Sequence, residues 1–304
     1  MQHQPALPVS TQIVILAPVT GPGGEPVVPA GAVGVIVAQL DERSYRIRFP
    51  GGDEAIVQRE DITVRAHLQR AGLQQDHSSS AQADLYAHVI YRCVVGSQAF
   101  GLNEPGSDVD RRGIYVPPAE LHWSLHGVPD QLDDHATQET YWEVQKFLVL
   151  ALKANPNVLE CLYSPLVEMA TPLAQELLAM RSIFLSRLVY QTYNGYVMSQ
   201  FKKLEADLRT RGTIRWKHAM HLLRLLLSGV TVLREGFVPM HVEEHRERLL
   251  AVRRGEVPWE EVNAWRLRLH RAFDAAVATT RLPERPDYER ANTYLLRVRR
   301  SMVS

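Results

Sequence analysis

A chain of 304 residues with 45% apolar and 22% charged side chains has an ordinary globular composition and enough length for two or three domains. No apolar run approaches the ~20 residues of a membrane helix, and the start MQHQPALPVS lacks the basic-then-apolar pattern of a secretion signal. Cys93 and Cys161 are too few for a disulfide framework or a cysteine metal site, so a reduced, cytoplasmic protein with no membrane partner is expected. The net charge is zero but uneven: residues 1–140 hold 9 Lys+Arg and 17 Asp+Glu, and residues 141–304 hold 25 and 17. That split suits an acidic half that binds metal and a basic half that faces phosphates; Arg-rich solvated helix faces would give it too.

Residues 12–64 read as all-β. QIVILAP, GAVGVIVAQL, SYRIRFP and DEAIVQREDITV are short β-branched runs, separated by the turn compositions GPGG, DERS and GGDE. Their spacing predicts a small SH3-like barrel over 1–66, able to bind nucleic acid or protein, or simply an appendage. In SYRIRF, Tyr45, Ile47 and Phe49 share one face and Arg46 and Arg48 the other. Residues 67–83, with QQDHSSSAQAD, read as a linker in which Ser78 to Ser80 offer helix caps. Residues 84–180 mix strands and loops and then turn helical, and 181–304 read as a helical domain. From Tyr141 onward WEVQKFLVLALKA, PLAQELLAM, FLSRLVYQTYNGYVMSQFKKLEADLRT and IRWKHAMHLLRLLLSGVTVLREG carry apolar residues at three- and four-residue spacing. Two more helices are predicted over 242–254 and 258–279, with Pro156, Pro172, Pro239 and Pro258 at boundaries. The terminal LLRVRR reads as a weak basic patch on a solvated end.

The stretch VVGSQAFGLNEPGSDVDRRGIYV carries the chemistry. An apolar run ends in Gly96-Ser97, a loop follows, and Ser107-Asp108-Val109-Asp110 opens a second run. In a strand, residues i and i+2 share a face, so Asp108 and Asp110 would project together. Two such carboxylates repel unless a cation lies between them. Mg²⁺, or Mn²⁺ in its place, suits that position, because it takes a few carboxylates together with phosphate oxygens. Backbone N–H groups and a hydroxyl at Gly96-Ser97 would approach phosphate. The constellation reads as a metal–triphosphate site; a lone Asp-x-Asp would more often be a solvated turn.

Gly96-Ser97 with Asp108-x-Asp110 resembles the signature of the DNA polymerase β nucleotidyltransferase superfamily. GSQAFGLNEPGSDVDRRG is similar to one branch, the RNA repair pathway DNA polymerase beta family, described as nucleotidyltransferases associated with RNA ligases. The likeness continues through KFLVLALKANPNVLECLYSP, TYNGYVMSQFKKLE and WKHAMHLLRLLLSG and covers roughly 84–300. It implies an α+β polymerase-β-like core with a C-terminal helical domain. It also implies Mg²⁺-dependent transfer of a nucleoside monophosphate from NTP to an acceptor hydroxyl, with RNA as acceptor and an RNA ligase or other repair protein as partner. Transfer to a protein or small molecule is the rival within the class, and a non-catalytic RNA-binding protein the rival outside it. The superfamily carries a third carboxylate on a later strand. In QLDDHATQETYWEVQKF that place falls to Glu139, with Asp133, Asp134 and Glu143 as rivals.

Arg111 or Arg112 would alternate back to the acid face and pair with carboxylate or phosphate. Lys217, His221, Arg224 and Ser228 are spaced 4, 3 and 4 apart and share a face of an apolar helix. Burying such a stripe is costly unless it lines a cleft, so Lys217, His221 and Arg224 join Gly96 and Ser97 as expected nucleotide-binding residues; a solvent-facing stripe is the alternative. His218 and His221 lack further ligands nearby and are not read as a zinc site. Tyr193, Tyr196 and Phe201 lie among Lys202, Lys203, Arg209, Arg211 and Arg215, a mixture that suits single-stranded nucleic acid or, for the aromatics, core. Asn155-Pro156-Asn157 reads as a capped turn, and its place in the family-like segment leaves a role near the nucleotide open.

Overall fold

A computed structural model describes residues 7–20, 26–41, 43–65, 85–134 and 136–303. The residues read as a linker, with Ser78 to Ser80, lie outside these. The chain divides into two units, 1–81 and 82–304.

The first unit holds β1 (Gln12–Ile15), β2 (Val19–Thr20), β3 (Pro26–Val28), β4 (Val33–Gln39), β5 (Ser44–Arg48), β6 (Glu54–Gln58) and β7 (Ile62–Val64). Five of them form an antiparallel sheet in the order β6-β5-β4-β1-β7, and β2 pairs with β3. Of the expected SH3-like barrel, the described residues show the five-stranded antiparallel sheet and no closed barrel. A 3₁₀ turn at Arg59–Asp61 carries the chain from β6 to the far side of β1, so β6 and β7 become opposite edges and no ladder joins them. The alternation in SYRIRF holds: Tyr45 and Ile47 are fully buried with Ile13, Ile15 and Ile36, while Arg46 and Arg48 are exposed. Arg48 meets Glu54 directly across the ladder at 2.9 Å.

The second unit is built on β8 (Val89–Val95), β9 (Asp110–Tyr115), β10 (Gln131–Asp134), β11 (Glu139–Glu143) and β12 (Val167–Ala170), in the order β10-β11-β9-β8-β12. β9 and β11 run parallel and every other pairing is antiparallel. A parallel pair needs a crossover; here the chain makes it through α2 (Ala119–Trp123) and β10, while the four-residue turn α1 (Gly96–Ala99) follows β8. Gly113 on β9 has no Cβ because one would overlap the Tyr91 carbonyl oxygen of β8.

Helices α3 (Val144–Leu152), α4 (Pro156–Tyr163) and α5 (Pro172–Ala179) join the sheet to α6 (Leu188–Arg211), α7 (Trp216–Glu235), α8 (Arg246–Arg253), α9 (Trp259–Thr279) and α10 (Tyr288–Arg300). Pro156 and Pro172 each open a helix, where a missing N–H costs nothing, and Pro258 precedes α9. Around α7, which packs on α6, α8 and α9, Leu222, Leu223, Leu225 and Leu226 fill the core. One apolar cluster runs without a break from Ile90 on β8 to Val298 on α10.

Two local readings change. The helix expected from Trp142 starts at Val144, because Trp142 is still paired with Ile114 on β9 and the Glu143 carboxylate accepts from Gln145 N–H at 2.8 Å as the cap. The LLRVRR end is the last part of α10, which buries Ala291, Tyr294 and Val298, and the Tyr294 hydroxyl donates to the Leu173 carbonyl at 3.0 Å. Among the described residues no helix is long and apolar enough to cross a membrane.

Candidate active site

β8 ends at Val95, directly across the ladder from Asp110. The chain then turns through Gly96 at φ +68°, a conformation that favours glycine. A Cβ at Gly96 would lie 2.7 Å from Asp110 Oδ2, so the absence of a side chain is what lets the corner close against the carboxylate. Ser97 follows on α1, half-buried, and does not line the cleft described below. β9 begins only at Asp110, so Asp108 belongs to the exposed end of the preceding loop. That loop is pinned to α8: Arg246 donates to the Gly101 carbonyl at 2.8 Å, Arg253 to the Leu102 carbonyl at 3.1 Å, and Arg253 pairs with Glu104 at 3.3 Å.

The register sorts the acids and arginines by face. Arg112, two residues from Asp110, shares its face and reaches its Oδ1 at 3.5 Å, while also donating to the Arg111 and Gln138 carbonyls at 2.8 and 3.0 Å. Thr140 pairs with Arg112 and Trp142 with Ile114, so β11 presents Thr140 and Trp142 on the Asp110 face. Glu139 pairs with Arg111 and therefore points the other way. There it accepts from the Tyr141 hydroxyl at 2.5 Å and lies 4.0 Å from Arg92, while Arg111 pairs with Glu168 at 2.9 Å. The expected third carboxylate thus does not join Asp110, because it falls one residue out of phase. Of its rivals, Asp134 is in register with Glu139 on the far face, and Glu143 caps α3 and pairs with Arg299. Asp133 does share the face, but it is two strands away on β10 and accepts from the Thr140 hydroxyl at 2.9 Å.

In front of the Asp110 face lies a cleft of about 410 Å³. Gly96, Asp110, Arg112 and Trp142 form its sheet wall; Asn155, Pro156, Asn157 and Glu160 come from the start of α4, Thr192 and Tyr196 from α6, and His218, His221 and Arg224 from α7. The Asn155 turn is capped as expected, its side chain accepting from Asn157 N–H at 3.0 Å. His221 is held down to about 4, first by burial and then by the cations Arg224 and Lys217, so it is neutral at pH 7. His218 is lowered by burial and by Arg215, and its Nε2 lies 3.0 Å from Gln200 Oε1.

Two members of the expected stripe have other surroundings. Arg224 is 8% exposed; its Nη1 donates to Glu160 Oε1 at 2.9 Å and its guanidinium lies 3.6 Å from the Phe100 ring centre. The counter-charge that a phosphate was expected to bring is already supplied by Glu160. A lone acid inside the apolar run VLECLY was the signal, since a buried carboxylate requires a partner. Lys217 lies outside the cleft and lines a neighbouring hollow of about 680 Å³, of which His218 and His221 are the shared wall. Tyr193 and Phe201 are core, whereas Tyr196 is 46% exposed. Among the described residues no three His, Cys, Asp or Glu side chains cluster to hold a metal by themselves.

Sequence likeness puts this arrangement in a polymerase-β-like class linked to RNA repair. More narrowly, the chain belongs to the RNA repair pathway DNA polymerase beta family, whose sequence model matches residues 62–297. YcgL, an uncharacterized protein of Bacillus subtilis (strain 168), is 37% identical over 82 residues, which cover 26% of this chain and 32% of YcgL. The match therefore spans about a third of that relative's length. No solved structure gives a significant match.

Proposed function

We propose that the protein is a nucleotidyltransferase that moves a nucleoside monophosphate from NTP to an acceptor hydroxyl, with an RNA end as acceptor. The observation that carries this reading is the Gly96 corner closed against Asp110, opening on a cleft whose far wall is His218, His221 and Arg224 of α7. In this reading the left-handed Gly96 lets backbone N–H groups approach the triphosphate. Asp110, with Asp108 from the loop before it, holds Mg²⁺ or Mn²⁺. The donor set fits, because Mg²⁺ is commonly bound by one or two carboxylates while substrate phosphates and water complete its shell. When bound, such an ion neutralises phosphate charge and activates the attacking oxygen. Arg112 fixes the Asp110 carboxylate, and His221, neutral at pH 7, offers a hydrogen bond without adding charge. The acceptor hydroxyl gives up its proton to water, its oxygen attacks the α-phosphorus, the bond from that phosphorus to the oxygen bridging to the β-phosphate breaks, and pyrophosphate leaves. This chemistry requires positioning and charge neutralisation more than covalent help. The helical part, residues 181–304, serves as the wall over the nucleotide, and an RNA ligase is the partner that the repair context supports.

A second reading, an RNA-binding protein that retains the fold without turnover, is favoured by one observation: Glu139 stands on the far face of the sheet, so the acid set beside Asp110 is short. The test combines purified protein, Mg²⁺ or Mn²⁺, each labelled NTP in turn, and RNA with free 3′-hydroxyl ends. Label on RNA with wild type and none with Asp110→Asn supports transfer to RNA. Label on protein moves the acceptor to a polypeptide. RNA binding with no label on any acceptor supports the second reading.

A further inference from the structure

The hollow beside the cleft has an unusual charge pattern. Lys203 on α6 and Arg215 and Lys217 at the start of α7 line it, all three exposed, and none forms an ion pair with an acid among the described residues. Asp207 is the acid in its wall, and burial and nearby cations keep His218 and His221 below their ordinary values. Permanent positive charge thus exceeds negative charge in a space open to solvent, which favours a ligand with several separated negative charges.

The geometry also gives that ligand a direction. His218 and His221 separate the hollow from the cleft and line both. On α6, Tyr196, Gln200 and Lys203 are spaced 4 and 3 apart and share one face, so the ring and the ammonium are in line, about 10 Å apart along the axis. Tyr196 lines the cleft, Gln200 and Lys203 line the hollow, and Tyr196 is exposed where Tyr193 and Phe201 of the same helix are buried. An exposed ring in line with unpaired cations is the arrangement by which proteins bind a single strand, the base on the ring and the phosphates on the cations.

We infer that Tyr196, Lys203, Arg215 and Lys217 form a track for the acceptor strand, a single-stranded nucleic acid whose 3′-hydroxyl end enters the cleft past His218 and His221. This rests on the proposed transfer reaction and adds where its second substrate lies. Lys217 then contacts the strand's backbone rather than the nucleotide, consistent with its place outside the cleft.

The test is fluorescence anisotropy of the full-length chain with a 5′-fluorescein single-stranded RNA bearing a free 3′-hydroxyl, without divalent metal, over a range of salt. A separate titration uses fluorescent ATP with Mg²⁺. The triple variant Lys203→Ala, Arg215→Ala, Lys217→Ala should weaken RNA binding tenfold or more at low salt. It should also lower the salt slope by about 2, since each single-strand phosphate contact contributes about 0.7. ATP affinity should not change. Tyr196→Ala should weaken RNA binding at least about fivefold, and Tyr196→Phe should restore it, because stacking uses the ring and not the hydroxyl. The four side chains are solvent-exposed, so these variants should fold. Unchanged RNA binding in the triple variant overturns the track. Loss of ATP affinity with RNA affinity retained also overturns it and assigns the hollow to the triphosphate. RNA binding that depends on the track in a chain that transfers nothing leaves the track standing and removes only the reaction. Transfer to RNA at full rate by the triple variant does the reverse.

Discussion

The two faces of the β9–β11 pair carry similar residues with opposite outcomes. On one face Arg111 is closed onto Glu168, and Glu139 onto Tyr141, with Arg92 nearby. On the other, Asp110 and Arg112 are in a longer contact of 3.5 Å and open onto a cleft. A single residue of phase separates an ion pair of the scaffold from a group that can meet a ligand. Burial draws a second contrast. The Arg224–Glu160 pair is enclosed by α4, α7 and the Phe100 ring, whereas Arg111–Glu168 is about one-third exposed. The same two charge types hold the fold in one place and decorate it in the other.

The comparison is broken most directly at Asp110. Asp110→Asn should lower transfer by about a thousandfold, the upper scale for removing one preorganised electrostatic group, with an unchanged melting curve; activity near wild type would show that the open face is not the reacting one. Next in size, Arg224→Ala should cost about 3–5 kcal/mol of stability by denaturant titration, because it leaves Glu160 buried without its partner. Arg111→Ala should cost about 0–1 kcal/mol, as solvent-accessible ion pairs do, and equal losses would erase the contrast. His221 sharpens the picture through pH. Its value is depressed in the folded chain, so between pH 6.5 and about 4 the unfolded chain binds a proton that the folded one does not. Its contribution is complete above pH 6.5 and is lost as pH falls towards about 4. His221→Gln should therefore reduce the slope of unfolding free energy against pH in that window by about one proton, and an unchanged slope would count against the burial that sets the value. The smallest effect belongs to Glu139→Gln: transfer within about threefold of wild type, measured beside Asp110→Asn, since the amide oxygen can still accept from the Tyr141 hydroxyl on the far face of the sheet. A collapse of activity to the Asp110→Asn level would mean that Glu139 reaches the reacting face after all.

Much of this protein was legible along the chain. The runs of the first unit, the helical periodicity beyond Val144 and the Gly-Ser corner are local patterns, set by side-chain alternation, turn residues and a backbone angle that glycine tolerates. The family likeness covers the corner and the helices but leaves out most of the first unit. What could not be read was which residues face each other across strands and helices. Asp-x-Asp was visible, but not that β9 begins only at the second aspartate. Glu139 was expected on a later strand, but that strand's phase against β9 was not visible, and that phase, set by the Glu139–Arg111 register, turns Glu139 away from the cleft. The stripe on α7 was visible, but not that Glu160, 64 residues earlier, neutralises Arg224, nor that Tyr196 alone of three aromatics stays exposed. The open edge of the first sheet is of the same kind, since closure depends on where β7 docks and not on what β6 and β7 contain. The sequence by itself determined the elements and the chemistry on offer, because both depend on neighbours within a few residues. Only the tertiary structure decided which charges meet inside and which face the cleft, because register and helix packing join residues that have no fixed separation along the chain.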